Sequence, residues 1–553
     1  MNLPNAVEVT FYPARAKTAA LAAAAALPDP DPVPSISYQS TGRTLMIGAA
    51  ADVAPWAEGL FSQLPLTVLL TDAASGVEPP RLYPVHRVQR AHVEGWLGSF
   101  DAVWEEGGDV QRGAFDVVLD LSATPLITRH EKPPGYFAPG ADIGKRADAV
   151  RELAEMIGEF EKPKYFTYKE RLCAHSRNKL IGCNACIEVC SAEAISGRGD
   201  KVFVNPNLCA GCGACGTVCP TGALSYAYPS AAYTGERLRA LISAYRAAGG
   251  GAPSLLFHSG KHGKALIAEL EAIVGAVPAH VIPIEIEHAA SVGIDVWLAA
   301  FAYGAGDIAV LMTDEEAPQY RGAVASQMEI ANTVLDGMGF AALHCRLLLA
   351  ADAASLAAAL DRPPPAVAAF DGAGFHVMAD KRNTLDLALT HLAAHAPVKA
   401  EVIALPLGSP FGNVRVDTNK CSLCMACVGA CPSSALMDST TVPQLRFVEK
   451  NCVQCGLCET TCPEDAIVLE PRLLLMDTWN KPVVKHESTP FCCIRCSKPF
   501  GSLQMITNMI AKMGSHSAFA GHLDRLRMCG DCRVVDMMKS GDSARVVGRG
   551  EGL

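Results

Sequence analysis

The chain has 553 residues, 50% of them hydrophobic and 19% charged, with a formal net charge of −10. It is long enough for three or four domains of ~150 residues and too apolar to be disordered, and its mild acidity without a basic block argues against nucleic acid as the main partner. The longest apolar runs, Ala19–Leu27 and Val296–Gly306, fall short of the ~20 residues a membrane-spanning helix needs, so no transmembrane segment is expected.

At the N-terminus, Met1-Asn2-Leu3-Pro4-Asn5 has neither a basic region nor a twin-arginine pair, so a cytoplasmic location is expected rather than export. Short apolar runs at Leu45–Ile47, Thr67–Thr71 and Phe115–Leu121 predict buried strands. A helix is predicted over Asp148–Phe160, with Leu153, Met156, Ile157 and Phe160 on one face, so residues 1–165 read as an α/β domain. The Pro133-Pro134-Gly135 turn and the segment to Gly140 read as a plain loop.

Residues 231–405 repeat the α/β pattern. Strands are predicted at Ser254–Phe257, His280–Ile286, Asp307–Met312, Ala341–His344 and Val367–Phe370, with a helix over Tyr320–Met338, which favours a mainly parallel sheet. Gly260-Lys261-His262-Gly263-Lys264 lacks phosphate-loop spacing and reads as a turn into a helix. The pairs Glu285/Glu287 and Glu315/Glu316 read as a strand edge and a helix N-terminus. Neither region carries a G-x-G-x-x-G fingerprint, a nucleophile elbow or an H-E-x-x-H pair, so no catalytic residue is assigned.

Of the 22 cysteines, all but Cys345 fall in five tight groups with the spacing of metal ligands rather than disulfides. Three runs share the pattern C-x2-C-x2-C-x3-C-P: Cys209, Cys212, Cys215 and Cys219; Cys421, Cys424, Cys427 and Cys431; Cys452, Cys455, Cys458 and Cys462. Such a loop wraps three corners of a [4Fe–4S] cube and sends its fourth thiolate to a second cube, so runs work in pairs. A fourth run, Cys173-x9-Cys183-x2-Cys186-x3-Cys190, keeps the last three positions and displaces the first. His175 or an open iron site is the alternative to Cys173.

Pairing neighbouring runs predicts four clusters. Their ligands are Cys173, Cys183, Cys186 and Cys219; Cys209, Cys212, Cys215 and Cys190; Cys421, Cys424, Cys427 and Cys462; and Cys452, Cys455, Cys458 and Cys431. An internal repeat agrees, because each run is followed by Ala and an aliphatic residue: Ala194-Ile195, Ala223-Leu224, Ala435-Leu436 and Ala466-Ile467. Apolar runs precede three of the loops, at Val202–Val204, Val414–Val416 and Arg446–Val448, so each half-module reads as strand, cluster loop, short helix, strand.

The last group differs. Cys493-x2-Cys496 and Cys529-x2-Cys532 suit one tetrahedral Zn2+, with a fifth cluster as the alternative; Cys492 is spare, and His486, His516 and His522 are nearby substitutes. Leu503–Met513 between the pairs is predicted helical, with Met505, Ile506, Met509 and Ile510 on one face. Cys345 reads as an inert buried thiol.

Segments Arg171–Ala227 and Val414–Pro471 resemble bacterial-type 2[4Fe–4S] ferredoxins. The phrases Cys173-Ala174-His175-Ser176-Arg177, Leu405–Gly412 and Met528–Arg533 resemble large proteobacterial 4Fe–4S binding proteins associated with formate dehydrogenases. The expected architecture is multidomain, α/β plus α+β. Two ferredoxin-like dicluster modules (166–230 and 406–475) are interspersed with two α/β domains and followed by a zinc-ribbon-like unit over 476–553. The expected function is single-electron transfer without a catalytic site of its own. The resemblance implies a redox partner, a formate dehydrogenase or a soluble ferredoxin. A redox-enzyme subunit with an unmarked flavin or substrate site, and a cluster-bearing assembly or sensing factor, stay open as alternatives.

Overall fold

The computed structural model describes residues 6–72, 82–340, 344–365, 370–513 and 523–539, with side chains from residue 13 onward. No helix among the described residues is long and apolar enough to cross a membrane.

Near the N-terminus, five parallel strands lie in the order Val85–Arg87, Leu66–Leu70, Thr44–Gly48, Val117–Asp120, Tyr136–Phe137. Strand side chains alternate between faces. Met46 and Val68 therefore pack under helices Ala50–Phe61 and Ile143–Ala154, while Leu45 and Ile47 pack against the antiparallel meander Arg90–Glu94, Phe100–Glu106, Asp109–Phe115.

Two expectations need correcting here. Phe115 ends the meander, and only Val117–Asp120 enters the parallel sheet. Between them the buried Asp116 carboxylate accepts from the Thr41 N–H and hydroxyl and from the Arg43 guanidinium, which turns the chain. The helix expected over Asp148–Phe160 runs Ile143–Ala154 instead. Asp142 caps it by accepting from the Lys145 N–H, and beyond Gly158, at φ 121°, the chain becomes strand Gly158–Pro163, paired antiparallel with Ser35–Ser40.

The second sheet is all parallel, in the order Val281–Ile286, Ser254–Ser259, Asp307–Met312, His344–Leu349. Its last strand lies later than the expected Ala341–His344, of which 341–343 fall outside the described residues. The expected strand Val367–Phe370 likewise lies outside them except for Phe370, which is not in a strand. Helices His262–Val274 and Ala353–Leu360 cover one face. Ala231–Ala247, Ile294–Tyr303, Pro318–Gly337 and Lys381–His395 cover the other, joined by the N-terminal helix Ala6–Ala25 through Ala16 and Ala20. All ten residues of Ile294–Tyr303 are buried, which accounts for its apolar sequence: a helix enclosed on every side has no polar face. Lys261 leads into His262–Val274 as a turn, the Gly263 N–H donating to the Ser259 hydroxyl at 2.9 Å.

Strands flank every cysteine run as the repeat predicts. Ile195–Arg198, Leu224–Tyr226, Leu436–Met437 and Ile467–Leu474 follow the runs; Lys201–Val204, Gly412–Val416 and Gln444–Phe447 precede the three regular loops. The second module also recruits Val402–Ala404 and Val483–Glu487 from either side, pairing them with Ile467–Leu474 and Gln444–Phe447.

Candidate metal centres

The three regular loops share one backbone path. The second and fourth residues after the first cysteine are left-handed: Gly211 and Gly213 at φ 80° and 76°, Leu423 and Met425 at 57° and 62°, Gln454 and Gly456 at 53° and 83°. Glycine takes this conformation freely, whereas each non-glycine residue costs ~1–2 kcal/mol that surrounding packing must offset. The return is that the N–H groups of Gly211, Leu423 and Gln454 turn back onto Cys209, Cys421 and Cys452.

The same device closes each run. Glu193, Gly222, Ser434 and Asp465 are left-handed, which turns the alanine N–H inward. Ala194, Ala435 and Ala466 donate to the sulfurs of Cys190, Cys431 and Cys462 at 3.3, 3.2 and 3.3 Å. In the fourth copy the Ala223 N–H donates to the Thr221 hydroxyl, which lies 3.5 Å from the Cys219 sulfur.

Folding brings the cysteines together in the expected sets. Burial pushes the Cys186 thiol up, followed by the charges of Cys219, Cys183 and Cys173. Cys215 feels burial and then Cys212, Cys209 and Cys190; Cys427 rises to about 12 through burial and then Cys421, Cys424 and Cys462; Cys458 feels burial and then Cys452, Cys455 and Cys431. Cys173, Cys183, Cys186 and Cys219 line one small cavity together with His175 and the small residues Ala174 and Ala223. Converging sulfurs, small neighbours and inward N–H groups are the fit a [4Fe–4S] group requires, since its charge is spread over sulfide that accepts such hydrogen bonds.

The displaced Cys173 is buried, within reach of the Tyr168 hydroxyl. His175 sets its Nδ1 3.2 Å from the Cys183 carbonyl oxygen and its Nε2 against Gly197. The nine residues between Cys173 and Cys183 form a hairpin, Ser176–Arg177 with Leu180–Ile181, whose turn residues Asn178 and Lys179 both have positive φ, as a two-residue type I′ turn demands.

Other parts of the chain close around these sets. The Tyr320 hydroxyl meets Cys212 and Ser191, and Lys162 Nζ donates to the carbonyls of Asn207 and Cys209, both at 2.8 Å. The segment just before Pro133 also makes contact, the Glu131 N–H donating to the Ser191 carbonyl. Arg382 donates to the carbonyls of Pro410, Lys450 and Cys452; burial lowers its pKa to about 10, opposed by the charge of Cys452. None of these residues carries a local sequence signal, because each lies outside the run it serves.

The C-terminal group has different geometry. The sulfurs of Cys493, Cys496, Cys529 and Cys532 lie within 4.8 Å of one another, with Cys496 and Cys529 at 3.7 Å. The first pair sits on the knuckle between strands Pro490–Cys492 and Pro499–Ser502, with Ser497 at φ 59°; the second pair sits at the start of helix Gly530–Lys539. Burial pushes Cys493 up, but N–H groups of Cys529, Cys496 and Arg495 outweigh it and hold the thiol at about 6. Such a group can bind a metal ion. Cys492 and His486 stand outside it, His516 and His522 lie outside the described residues, and helix Leu503–Met513 buries Ile506 as expected. Cys345 is buried in strand His344–Leu349, its thiol pushed well up by desolvation.

Family models agree with the two modules: residues 181–223 and 420–467 each match a 4Fe–4S dicluster domain. No curated protein matches the chain. Two ferredoxin-type dicluster domains support iron–sulfur electron transfer.

Proposed function

We propose that the protein is a one-electron carrier holding four [4Fe–4S] clusters on the four cysteine sets: Cys173, Cys183, Cys186 and Cys219; Cys190, Cys209, Cys212 and Cys215; Cys421, Cys424, Cys427 and Cys462; Cys431, Cys452, Cys455 and Cys458. The convergence of these thiols, all but Cys424 buried or half-buried, with backbone N–H groups turned onto their sulfurs, carries the reading. A bound cluster supplies a one-electron couple; the protein holds it, excludes water and sets its potential through hydrogen bonds and nearby charge.

Cys493, Cys496, Cys529 and Cys532 hold a zinc ion. A tetrahedral site with Zn–S bonds of ~2.3 Å spaces its sulfurs ~3.8 Å apart, which suits the 3.7 Å between Cys496 and Cys529 better than a fifth cube does. The carrier works in the reducing cytoplasm, where unpaired cysteines persist. Its partner is a redox enzyme of the formate dehydrogenase kind or a soluble ferredoxin, and the net charge of −10 suits a basic-faced partner.

Anaerobic potentiometric titration followed by electron paramagnetic resonance, with iron and zinc counted on the same sample, tests this. We expect four reversible one-electron spins per chain below roughly −300 mV. Sites that cannot be cycled would overturn the carrier reading in favour of an assembly or sensing factor.

A further inference from the structure

The two dicluster modules are separated in sequence by the whole second α/β region, yet they touch. Helix Leu457–Thr461 of the second module packs on strand Leu180–Ile181, the return arm of the hairpin inserted after Cys173. The space at 182 is tight on both sides: a Cβ there would stand 2.5 Å from Leu457 Cγ and 3.1 Å from the Cys455 carbonyl oxygen of the second module, and 2.9 Å from the Ala174 carbonyl oxygen of its own hairpin. Gly182 has no positive φ, so this close packing, to which the second module contributes, selects glycine. Its neighbour Cys183 belongs to one thiol set and Cys455 to another, and the charge of Cys183 bears on Cys455.

A second fastening lies at the start of helix Lys381–His395. Lys381 Nζ donates to the Thr217 and Gly216 carbonyls of the first module at 2.5 and 3.1 Å. The next residue, Arg382, donates to the Pro410 and Lys450 carbonyls at the second module, both at 2.7 Å. Adjacent cations thus grip one module each. Buried and half-buried cations bonded to carbonyls are costly to pull away, because each would leave unmet donors and acceptors.

We propose that Gly182 and the Lys381–Arg382 pair form a rigid joint that fuses the two modules into a single linear four-site path. Within each module the two runs exchange their fourth cysteines, Cys190 and Cys219 in the first and Cys431 and Cys462 in the second, and Gly182 sets the Cys183 loop against the Cys455 loop, so the order follows. It runs from the Cys421–Cys424–Cys427–Cys462 set through Cys431–Cys452–Cys455–Cys458 and Cys173–Cys183–Cys186–Cys219 to Cys190–Cys209–Cys212–Cys215. The displaced first cysteine then has a structural reason: the hairpin that displaces it carries the contact surface. Each step moves one electron, one site being oxidised by a single charge as the next is reduced, with no proton or atom transferred; a low-potential one-electron reductant supplies the first.

This inference rests on the carrier reading, and two readouts on the intact, iron-loaded chain keep the two separable. The first is electron paramagnetic resonance of the fully reduced protein; the second is amide hydrogen exchange of the oxidised protein, which needs no reduction. We expect Gly182→Val to retain its iron, to lose a spin–spin broadening present in the wild type, and to exchange the amides of 457–461 about tenfold faster as the packed helix loosens. Lys381→Met with Arg382→Met should reproduce both effects by a different route. A wild-type spectrum that Gly182→Val leaves unchanged, or unchanged exchange at 457–461, would overturn the joint while leaving the carrier reading intact. Iron that loads but cannot be reduced would sink the carrier reading, and exchange alone would then decide the joint.

Discussion

The two dicluster modules have the same chain plan and opposite surroundings. The second keeps two regular cysteine runs, and its outer set, with Cys424 exposed, is capped by the C-terminal unit: Ser502 donates to the Ser422 carbonyl at 2.8 Å, Gln504 to that of Asn419 at 2.8 Å, and Lys512 pairs with Glu464. The first has one irregular run and is enclosed by both α/β regions, with Tyr38 donating to the Asn207 carbonyl, Lys162 gripping the Cys209 loop and Tyr320 reaching Cys212. The irregular module is the embedded one, and its irregularity lies where it meets the other. Departure from a repeat here marks a contact, not decay of a site.

The sharpest way to break that comparison is to remove ligands. Cys173→Ser should cost the first module one cluster, about four irons per chain by the ferredoxin ligation rule, as Cys431→Ser should cost the second. His175→Ala should leave the iron count unchanged, since its ring faces the Cys183 carbonyl and Gly197. Loss of iron in His175→Ala would mean that the irregular run binds its cluster differently from the regular ones.

Next in size is the unit that caps only the second module. Cys529→Ser should abolish metal binding at the Cys493, Cys496, Cys529 and Cys532 group, and since structural zinc contributes ~10 kcal/mol or more to folding such units, residues 490–513 and 523–539 should lose amide protection. Iron content and the first module's spectrum should not change, as measured by metal analysis and electron paramagnetic resonance. A matching loss of iron from both modules would show that the cap supports the whole assembly.

How much of this was open to sequence reading follows from the range of the forces. Cysteine spacing, the trailing alanines and the flanking strands are fixed within about a dozen residues by backbone geometry, so the runs and the repeat could be read directly; the pairing of runs into sets rests on the ferredoxin ligation rule. The helix over Asp148–Phe160 could not: apolar residues at helical spacing continued past its end, but Gly158 and pairing with Ser35–Ser40 drew them into a strand. Residues 367–369 of the expected strand Val367–Phe370 and two of the candidate histidines, His516 and His522, lie outside the described residues. Tyr320, Lys162 and Arg382 reach the cysteine loops from other elements, Tyr320 from more than a hundred residues away in sequence, and no local pattern distinguishes a side chain that fills such a role from an ordinary surface cation or core tyrosine.

A smaller effect separates the modules by charge. Arg382 stands beside Cys452 in the second module and stabilises the more negative, reduced state there. A unit charge a few ångströms away at an effective dielectric of ~20 contributes on the order of 3 kcal/mol, so Arg382→Met should lower one potential of that module by ~50–100 mV, allowing for screening. Arg382→Lys, which keeps the charge, should recover most of the shift in a potentiometric titration. Equal shifts in every site would mean that the charge acts on the whole path and not as a local field.

The smallest difference tests a neutral donor in the first module. The Tyr320 phenol hydrogen-bonds Cys212, and burial, then the charge of Cys212, push it far above its usual range. It therefore stays a neutral donor at working pH. Removing it in Tyr320→Phe should lower one first-module potential by ~20–50 mV, the differential worth of one hydrogen bond to a charged sulfur. Because a phenol with a raised pKa loses no proton between pH 6 and 9, the shift should be the same at both ends of that range. A shift that shrinks toward pH 9 would show the phenol ionising, which its burial beside Cys212 opposes.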